Sequence, residues 1–242
     1  WSSHCPHGGD YLPAGFLSWI SAAVGIVGMV VGLSLVAGLA TGFLIKRSIN
    51  YLSINGYKVD NKSFFLEMFC GFIWVWAINS LNIQNALVFA GISSILIGIG
   101  FVDLNTFQIP YEFVIAGVLI VLIALLGEVI PVSSFLWGIL VGAVIPLIIM
   151  GGMWMITKRQ GMGFGDIQLG FVLGAWLGPM RMALTLFTAS VLSLTMWIAV
   201  SFMKGFDKDR ALPFAPFLAA SGIGVYVGSV YYPGIFHLLI LQ

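Results

Sequence analysis

Four carboxylates lie within or at the edges of long apolar segments of this chain. They are Glu67, Asp103, Glu112 and Asp166. An ionisable side chain is expensive to keep in such a position, so each is a functional candidate by default. Two carboxyl groups held close together share a proton, because both cannot easily be ionised. One can then activate a water molecule while the other, protonated, polarises a carbonyl oxygen.

The segment before Asp166 is rich in glycine, in the pattern GMGFGD at residues 161–166. Glycine lets a substrate backbone approach closely and allows positive φ in a loop. We expect Asp166 to be the N-cap of the following helix, where it would accept backbone N–H bonds at the positive end of the dipole. Gly170, Gly174 and Gly178 follow at steps of four, which predicts a stripe for close helix contact.

The composition excludes a water-soluble globule. Hydrophobic residues make up 60% of the 242 residues, charged residues only 8%, and the mean hydropathy is +1.06. Soluble domains carry about 25% charged residues. The length admits about eight membrane spans of ~20 residues each. The net charge of +1, from scattered basic residues, gives no reason to expect nucleic-acid binding. The prediction is therefore an all-α polytopic membrane protein with about eight transmembrane helices.

The predicted spans are the segments almost free of charge. They cover residues 15–45, 64–81, 86–102, 113–126, 135–156, 167–177, 182–203 and 212–230. This topology puts Asp103 at the end of one span and Asp166 at the start of another, on the same membrane boundary. A catalytic dyad is one interpretation. The other is that each aspartate only terminates a helix at the interface, and the topology leaves both open.

The basic residues orient the spans, because nine of the ten fall in alternate loops on one side. They are Lys46, Arg47, Lys58, Lys62, Lys158, Arg159, Lys204, Lys208 and Arg210, with only Arg181 on the other side. By the positive-inside rule the side with nine is cytoplasmic. Residues 1–14 are then a non-cytoplasmic segment, and both termini lie outside the cytoplasm. Residues 15–242 form one membrane domain, with residues 46–62 as a short cytoplasmic loop.

Other residue types offer weaker sites. His4, Cys5 and His7 are too few and too far from the aspartates for a good metal site, so no metal is expected. No disulfide is expected between Cys5 and Cys70. His237 follows the last span, so serine-protease chemistry lacks a base. The eight tryptophans are interpreted as anchors at the membrane interface.

Five segments resemble the type IV prepilin peptidases, a family of intramembrane aspartyl proteases. Residues 161–178, GMGFGDIQLGFVLGAWLG, resemble the family's GxGD segment, and VDLNTFQIP (102–110) resembles the segment with its first catalytic aspartate and a downstream proline. SFFLEMFCG (63–71) resembles the start of its second span, and LPFAPFLAAS (212–221) its late proline-phenylalanine motif. GLATGFL (38–44) is a weaker match.

The resemblance implies a GxGD aspartyl protease architecture with Asp103 and Asp166 as the catalytic pair. It also implies substrate-binding or loop roles for other matching residues, namely Gly163, Gly165, Pro110, Glu112 and Glu67. For Glu112 the alternatives are a third carboxylate beside the dyad or an interface anchor. For Glu67 they are a structural hydrogen-bonded role or a substrate contact.

The implied substrates are type IV prepilins or type II secretion pseudopilins, cut after a glycine that ends a basic leader. The implied location is the cytoplasmic face of a bacterial inner membrane, with lipid and the substrate as partners and no cofactor.

The chain departs from the family in having Tyr111 after the proline, Gln168 two residues after Asp166, and no cysteine in residues 46–62. Many bacterial members carry a zinc-binding loop there and also N-methylate the pilin. The resemblance therefore supports the peptidase and not the methyltransferase.

Two alternatives remain at this point. An archaeal preflagellin peptidase is the nearest variant. A rival of another class is an ion- or solute-coupled transporter that uses Asp103 and Asp166 as a proton relay. Transporters favour broken helices and charges at the membrane midplane, whereas these aspartates are predicted at the boundary.

Overall fold

A computed structural model describes residues 14–53, 56–60, 63–157, 163–205 and 212–234 of the chain. All regular structure in these ranges is helical. The helices are α1 (Ala14–Leu52), α2 (Phe65–Ser80), α3 (Ile83–Thr106), α4 (Tyr111–Leu126), α5 (Val132–Ile139), a π-helical turn (Leu140–Val144), α6 (Ile145–Thr157), α7 (Phe164–Leu177), α8 (Pro179–Lys204) and α9 (Ala215–Tyr231). The predicted all-α class is confirmed.

The described helices form eight rods, because α5, the π-helical turn and α6 run on without a break. Four stretches are long and apolar enough to cross a membrane: Gly25–Leu52, Ile83–Thr106, Val132–Ile156 and Pro179–Lys204. The other four helices are shorter and equally apolar in character. This is the architecture of a polytopic membrane protein, with the number of helices that the apolar segments predict.

Short connections make successive rods run in opposite directions. A single residue, Gly178, joins α7 to α8, and residues 107–110 join α3 to α4. The end of α3 and the start of α7 therefore lie at the same end of the bundle. The start of α3, the end of α7 and the start of α8 lie at the opposite end.

The first predicted loop is wrong at its start, because α1 continues through residues 46–52. Ile45 and Ile49 are buried and keep the apolar face of α1 packed past the first basic residue. Lys46 itself is buried, with its ammonium 2.9 Å from the Glu67 carboxylate of α2. A lysine that pairs inside the bundle does not end a helix, so the connection between α1 and α2 is confined to residues 53–64.

Two predicted helix ends also differ. Asp103 does not terminate α3, which continues to Thr106 and ends where Phe107 adopts φ 54° and donates its N–H to the Asp103 carbonyl oxygen. Asp166 is the third residue of α7, and the N-cap is Gly163, whose backbone is extended at φ −71° and ψ 143°. A side chain in the first helical turn can still accept a bond from the N-cap N–H, so the predicted dipole contact remains.

The glycines of α7 pack directly against the backbone of the α5 rod. A Cβ on Gly174 would overlap the carbonyl oxygen of Gly138, and a Cβ on Gly170 would overlap that of Gly142. The predicted small-residue contact is confirmed, and its partner stripe is Gly138 and Gly142. Van der Waals contact between backbones is the main attraction available between helices in lipid, where burial of apolar side chains brings little gain.

The assignment of all tryptophans as interface anchors is wrong for Trp176. Its side chain is only 5% exposed and stacks on Tyr226, with ring centroids 5.0 Å apart and planes 15° apart. Phe89 of α3 lies against both rings. Trp176 is the second-to-last residue of a helix whose last five residues are all buried, so it packs inward.

Replacing Gly174 with alanine tests the backbone contact. The added methyl group meets the Gly138 backbone, which cannot rotate away, so we expect a loss of about 1–3 kcal/mol in stability. Gly151→Ala in α6 is the matched control, since a Cβ there meets nothing within 4 Å. The measurement is the melting temperature of each purified variant in detergent. A Gly174→Ala protein as stable as Gly151→Ala would contradict the contact.

Candidate active site

Asp103 is buried in the last turns of α3, with 5% of its surface exposed. The backbone N–H of Ala215, the first residue of α9, hydrogen-bonds to its carboxyl group. Its Oδ2 atom is buried and has no hydrogen-bond partner within the described residues. A buried carboxyl oxygen without a partner is costly, so this atom is available to a proton, a water molecule or a substrate.

The start of α9 is held against α3 by close packing. A Cβ on Gly100 would lie 3.4 Å from the Cα of Pro216, the second residue of α9. Proline fits the first turn of a helix because it lacks the N–H that would have no partner there. The positive end of α9 thus points at Asp103. The pattern LPFAPF marks this helix start in the sequence, but its contact with Asp103 was not predicted.

Asp166 lies in the first turn of α7 and is partly exposed. The N–H of Gly163 donates to its Oδ2 at 3.3 Å, and its own N–H donates to the Gly163 carbonyl oxygen at 3.1 Å. The Asp166 carboxylate is close enough to Asp103 for the two charges to interact. The structure therefore brings together the two aspartates, which are far apart in the sequence.

A contact between two loops sets the position of Asp166 relative to α3. A Cβ on Gly165 would lie 3.2 Å from the Ile109 side chain, in the connection that follows α3. Pro110 is buried and forms the N-cap of α4, with φ −65° and ψ 122°. Gly165 is thus needed for close approach, and Pro110 fixes the path of the chain that it approaches.

A groove of about 820 Å³ begins at Asp166 and runs between α6 and α8. Gly163, Asp166, Leu212 and Phe214 line the end near the aspartates, and most of the rest is apolar. Its walls are Ile145, Pro146, Ile149 and Met150 of α6, with Leu186, Ser190, Ser193, Leu194 and Trp197 of α8. Ile149 and Leu194 are each 58% exposed, so the groove is open towards the surrounding lipid. Asp103 is not part of its lining.

The α8 wall of the groove extends from Leu186 to Trp197. At 1.5 Å per residue that is about 17 Å, or three turns of helix. The amino-acid sequence does not reveal this groove. The sequence carries little information about it, because apolar residues of α6 or α8 that line a groove have the same composition as apolar residues that contact lipid.

Glu112 and Glu67 are placed differently from the aspartates. Glu112 lies in the first turn of α4 and interacts with the hydroxyl group of neighbouring Tyr111. Glu67 is buried and pairs with Lys46, whose ammonium also donates to the Ser63 carbonyl oxygen at 2.7 Å. This ion pair accounts for the burial of Glu67. Roles of either residue in substrate binding stay predictions.

Within the described residues, no group of three histidine, cysteine or acidic side chains is placed to hold a metal ion. His4, Cys5, His7 and His237 lie outside the described residues. Cys70 is a free, buried thiol.

Residues 90–198 match the type IV leader peptidase family. This part of the chain is related to type IV leader peptidases. The resemblance inferred from the motifs is therefore confirmed. The matched segment contains both Asp103 and Asp166, together with the helices that carry them.

Curated relatives agree with this assignment. The chain is 28% identical over 132 residues to a prepilin leader peptidase/N-methyltransferase of Aeromonas salmonicida, covering 53% of this chain and 44% of that one. It is 30% identical over 157 residues to the protein of that name from Pseudomonas putida, covering 64% and 54%. The chain thus spans about half the length of the curated relatives it matches. No solved structure matches it.

The Lys46–Glu67 pair can be tested as a buried ion pair. Lys46→Met or Glu67→Gln alone leaves the partner buried without its counter-charge, which typically costs about 3–5 kcal/mol. We expect each single variant to melt at a clearly lower temperature than the wild type. The double variant should lose less stability than the sum of the two, as a double-mutant cycle in detergent would show. Strictly additive losses would mean that the pair is not coupled.

Proposed function

We propose that this protein is a membrane aspartyl endopeptidase that removes the basic leader from type IV prepilins or type II secretion pseudopilins. One observation carries the proposal: the Asp166 carboxyl group lies at one end of a long apolar groove and interacts electrostatically with the carboxyl group of Asp103, from a helix distant in the sequence. The relationship to the type IV leader peptidases supports the same activity. Prepilin processing appears in the names of the curated relatives.

The reaction needs one carboxyl group of the pair ionised and one protonated. The ionised carboxylate takes a proton from a water molecule, whose oxygen attacks the carbonyl carbon of the scissile bond. The protonated carboxyl group donates a hydrogen bond to the carbonyl oxygen, where negative charge develops. The proton taken from water then passes to the leaving nitrogen as the C–N bond breaks. Water is the only co-reactant.

The groove suits a substrate with an apolar helix. Three turns of helix fit along the α8 wall, with the scissile bond at the end next to Asp166. An apolar helix in this position exchanges lipid contacts for protein contacts, so it enters from the side without crossing a polar barrier. Gly163 lines the groove with extended backbone and no side chain, so an unwound peptide can approach the Asp166 carboxylate closely.

The distribution of basic residues predicts that cleavage occurs on the cytoplasmic side. Lys46, Arg47, Lys58 and Lys204 are described, and all lie at or near the end of the bundle that holds the aspartates. Arg181 lies at the opposite end. By the positive-inside rule the aspartates then face the cytoplasm of a bacterial inner membrane.

The other two functions use the same residues. A preflagellin peptidase differs only in its substrate. A transporter with Asp103 and Asp166 as a proton relay would need these groups at the midplane, but they lie near the ends of α3 and α7. Incubation of the detergent-purified protein with a prepilin and, separately, a preflagellin distinguishes them. If the protein is a transporter, both the prepilin and the preflagellin stay at full length.

The dyad is tested by Asp103→Asn and Asp166→Asn. Each variant lacks one of the two carboxyl groups, so we expect prepilin cleavage to fall by at least about 100-fold. Glu128→Gln is the matched control, because this exposed carboxylate lies in the loop between α4 and α5, at the opposite end of the bundle. Cleavage is measured as conversion of prepilin to the shortened form on a gel.

The melting temperature of each variant separates loss of chemistry from loss of fold. Removing the charge of buried Asp103 relieves desolvation, so its asparagine variant should be at least as stable as the wild type. Full cleavage by either asparagine variant would rule out a two-carboxyl mechanism.

We also propose that the protein does not methylate the new N-terminus. In the family, methylation accompanies a zinc-binding cytoplasmic loop, and a structural zinc site of that kind needs four ligands. Here the connection is confined to residues 53–64, which contain no cysteine. Mass spectrometry of pilin cleaved in the presence of S-adenosylmethionine should show no added methyl group. An enzyme-dependent gain of one methyl mass at the N-terminal residue would overturn this proposal.

A further inference from the structure

A second, smaller pocket lies at the end of the bundle opposite the aspartates. Its volume is about 100 Å³, and it is lined by the starts of α3, α5 and α8, the loop before α5, the end of α7 and Tyr226 of α9. Four side chains bring polar groups to it: Asn85, Ser134, Arg181 and Tyr226. A cavity of this size with several polar groups in its lining suits a small polar occupant.

Arg181 is the cation of this pocket. Its guanidinium lies 5.4 Å from the centre of the Tyr226 ring, in a cation–π contact. No carboxylate of the described residues lies within 4 Å of it, including Glu128 in the nearby loop. It sits in the first turn of α8, where the helix dipole adds to its positive charge. The pocket therefore attracts an anion.

The aromatic side chains beneath Arg181 pack tightly against one another. Tyr226 is buried and stacks on Trp176, and Phe89 packs against both. A guanidinium held over a fixed ring presents its planar donors in one direction, which favours paired hydrogen bonds to a phosphate. The aromatic rings thus fix the orientation of the Arg181 guanidinium, whose N–H donors can then bond to a ligand in the pocket.

The surface beside the pocket is apolar and exposed. Val132, Leu136 and Trp137 of α5 are each about 60% exposed, and Ser134 of the same helix lines the pocket. The pocket is at the level of the helix ends, where phospholipid phosphates meet the protein. Acyl chains attached to a group in the pocket would lie along this face of α5.

We propose that the pocket binds the headgroup of an anionic phospholipid with hydroxyl groups, such as phosphatidylglycerol. The phosphate lies on the Arg181 guanidinium, and the headgroup hydroxyls bond to the side chains of Asn85 and Ser134. A choline headgroup is disfavoured, because its ammonium would lie beside Arg181, which has no carboxylate partner among the described residues. The exposed apolar face of α5 distinguishes a lipid phosphate from a free one.

The experiment is native mass spectrometry of the detergent-purified full chain titrated with phosphatidylglycerol. We expect Arg181→Gln to weaken binding about tenfold or more, the effect of losing a charge-assisted hydrogen-bonded pair. Arg47→Gln is the matched control, since Arg47 is an exposed cation at the other end of the bundle. Phosphatidylcholine should bind more weakly than phosphatidylglycerol, and excess inorganic phosphate should not displace the lipid.

A thermal shift gives an independent measurement. Phosphatidylglycerol should raise the melting temperature of the wild type and of Arg47→Gln, but not that of Arg181→Gln. Arg181→Lys keeps the charge without the planar fork, and it should bind with intermediate affinity. It also serves as the test if the glutamine variant does not fold.

Each contrary result overturns the assignment. Equal lipid binding by the wild type and by both Arg181 variants would mean that the guanidinium is not a ligand. Equal loss in Arg47→Gln would indicate attraction by overall charge, and equal binding of phosphatidylcholine would remove the headgroup specificity. Displacement by inorganic phosphate would make the pocket a site for the free ion.

Discussion

The backbone contact between α7 and the α5 rod constrains the position of everything around Asp166. Gly170 and Gly174 meet Gly138 and Gly142 so closely that no side chain fits between the two helices. Because helices in lipid gain little from burying apolar side chains, such contacts supply much of their attraction. α7 has only 14 residues, and most are buried, so its first turn cannot shift without breaking this contact.

Other neighbours of α7 also approach through glycines. A Cβ on Gly117 of α4 would lie 2.9 Å from Val172, and one on Gly222 of α9 would lie 2.8 Å from Leu173. The helix that carries Asp166 is therefore surrounded by small residues from three directions. This close packing holds the Asp166 carboxylate near Asp103 of α3, although the helices that carry them are not adjacent in the sequence.

The two ends of the bundle use polar groups in different ways. At one end, Asp103 and Asp166 are held by backbone N–H groups of α9 and of the loop before α7, so no side-chain cation neutralises them within the described residues. The nearby cation Lys46 instead forms an ion pair with Glu67, and this pair links α1 to α2. At the other end, Arg181 lies over the ring of Tyr226, and no carboxylate in the described part of the chain pairs with it. A carboxyl pair suits proton transfer, whereas a lone guanidinium suits a stable anion.

The sequence by itself determined the fold class, the number of apolar rods, the glycine stripe and the two aspartates as candidates. Composition and glycine spacing are local properties, and lipid imposes helices on any apolar segment of sufficient length. The continuation of α1 past Lys46 depends on a tertiary contact, because its ion pair with Glu67 of α2 lets the charge lie inside the bundle. The Ala215 N–H on Asp103, the Gly165–Ile109 contact, the groove beside Asp166 and the burial of Trp176 likewise depend on which helices become neighbours. Helix pairing sets these features because the two halves of each contact lie far apart in the sequence: Ile109 and Gly165 are 56 positions apart, and Asp103 and Ala215 are 112 apart.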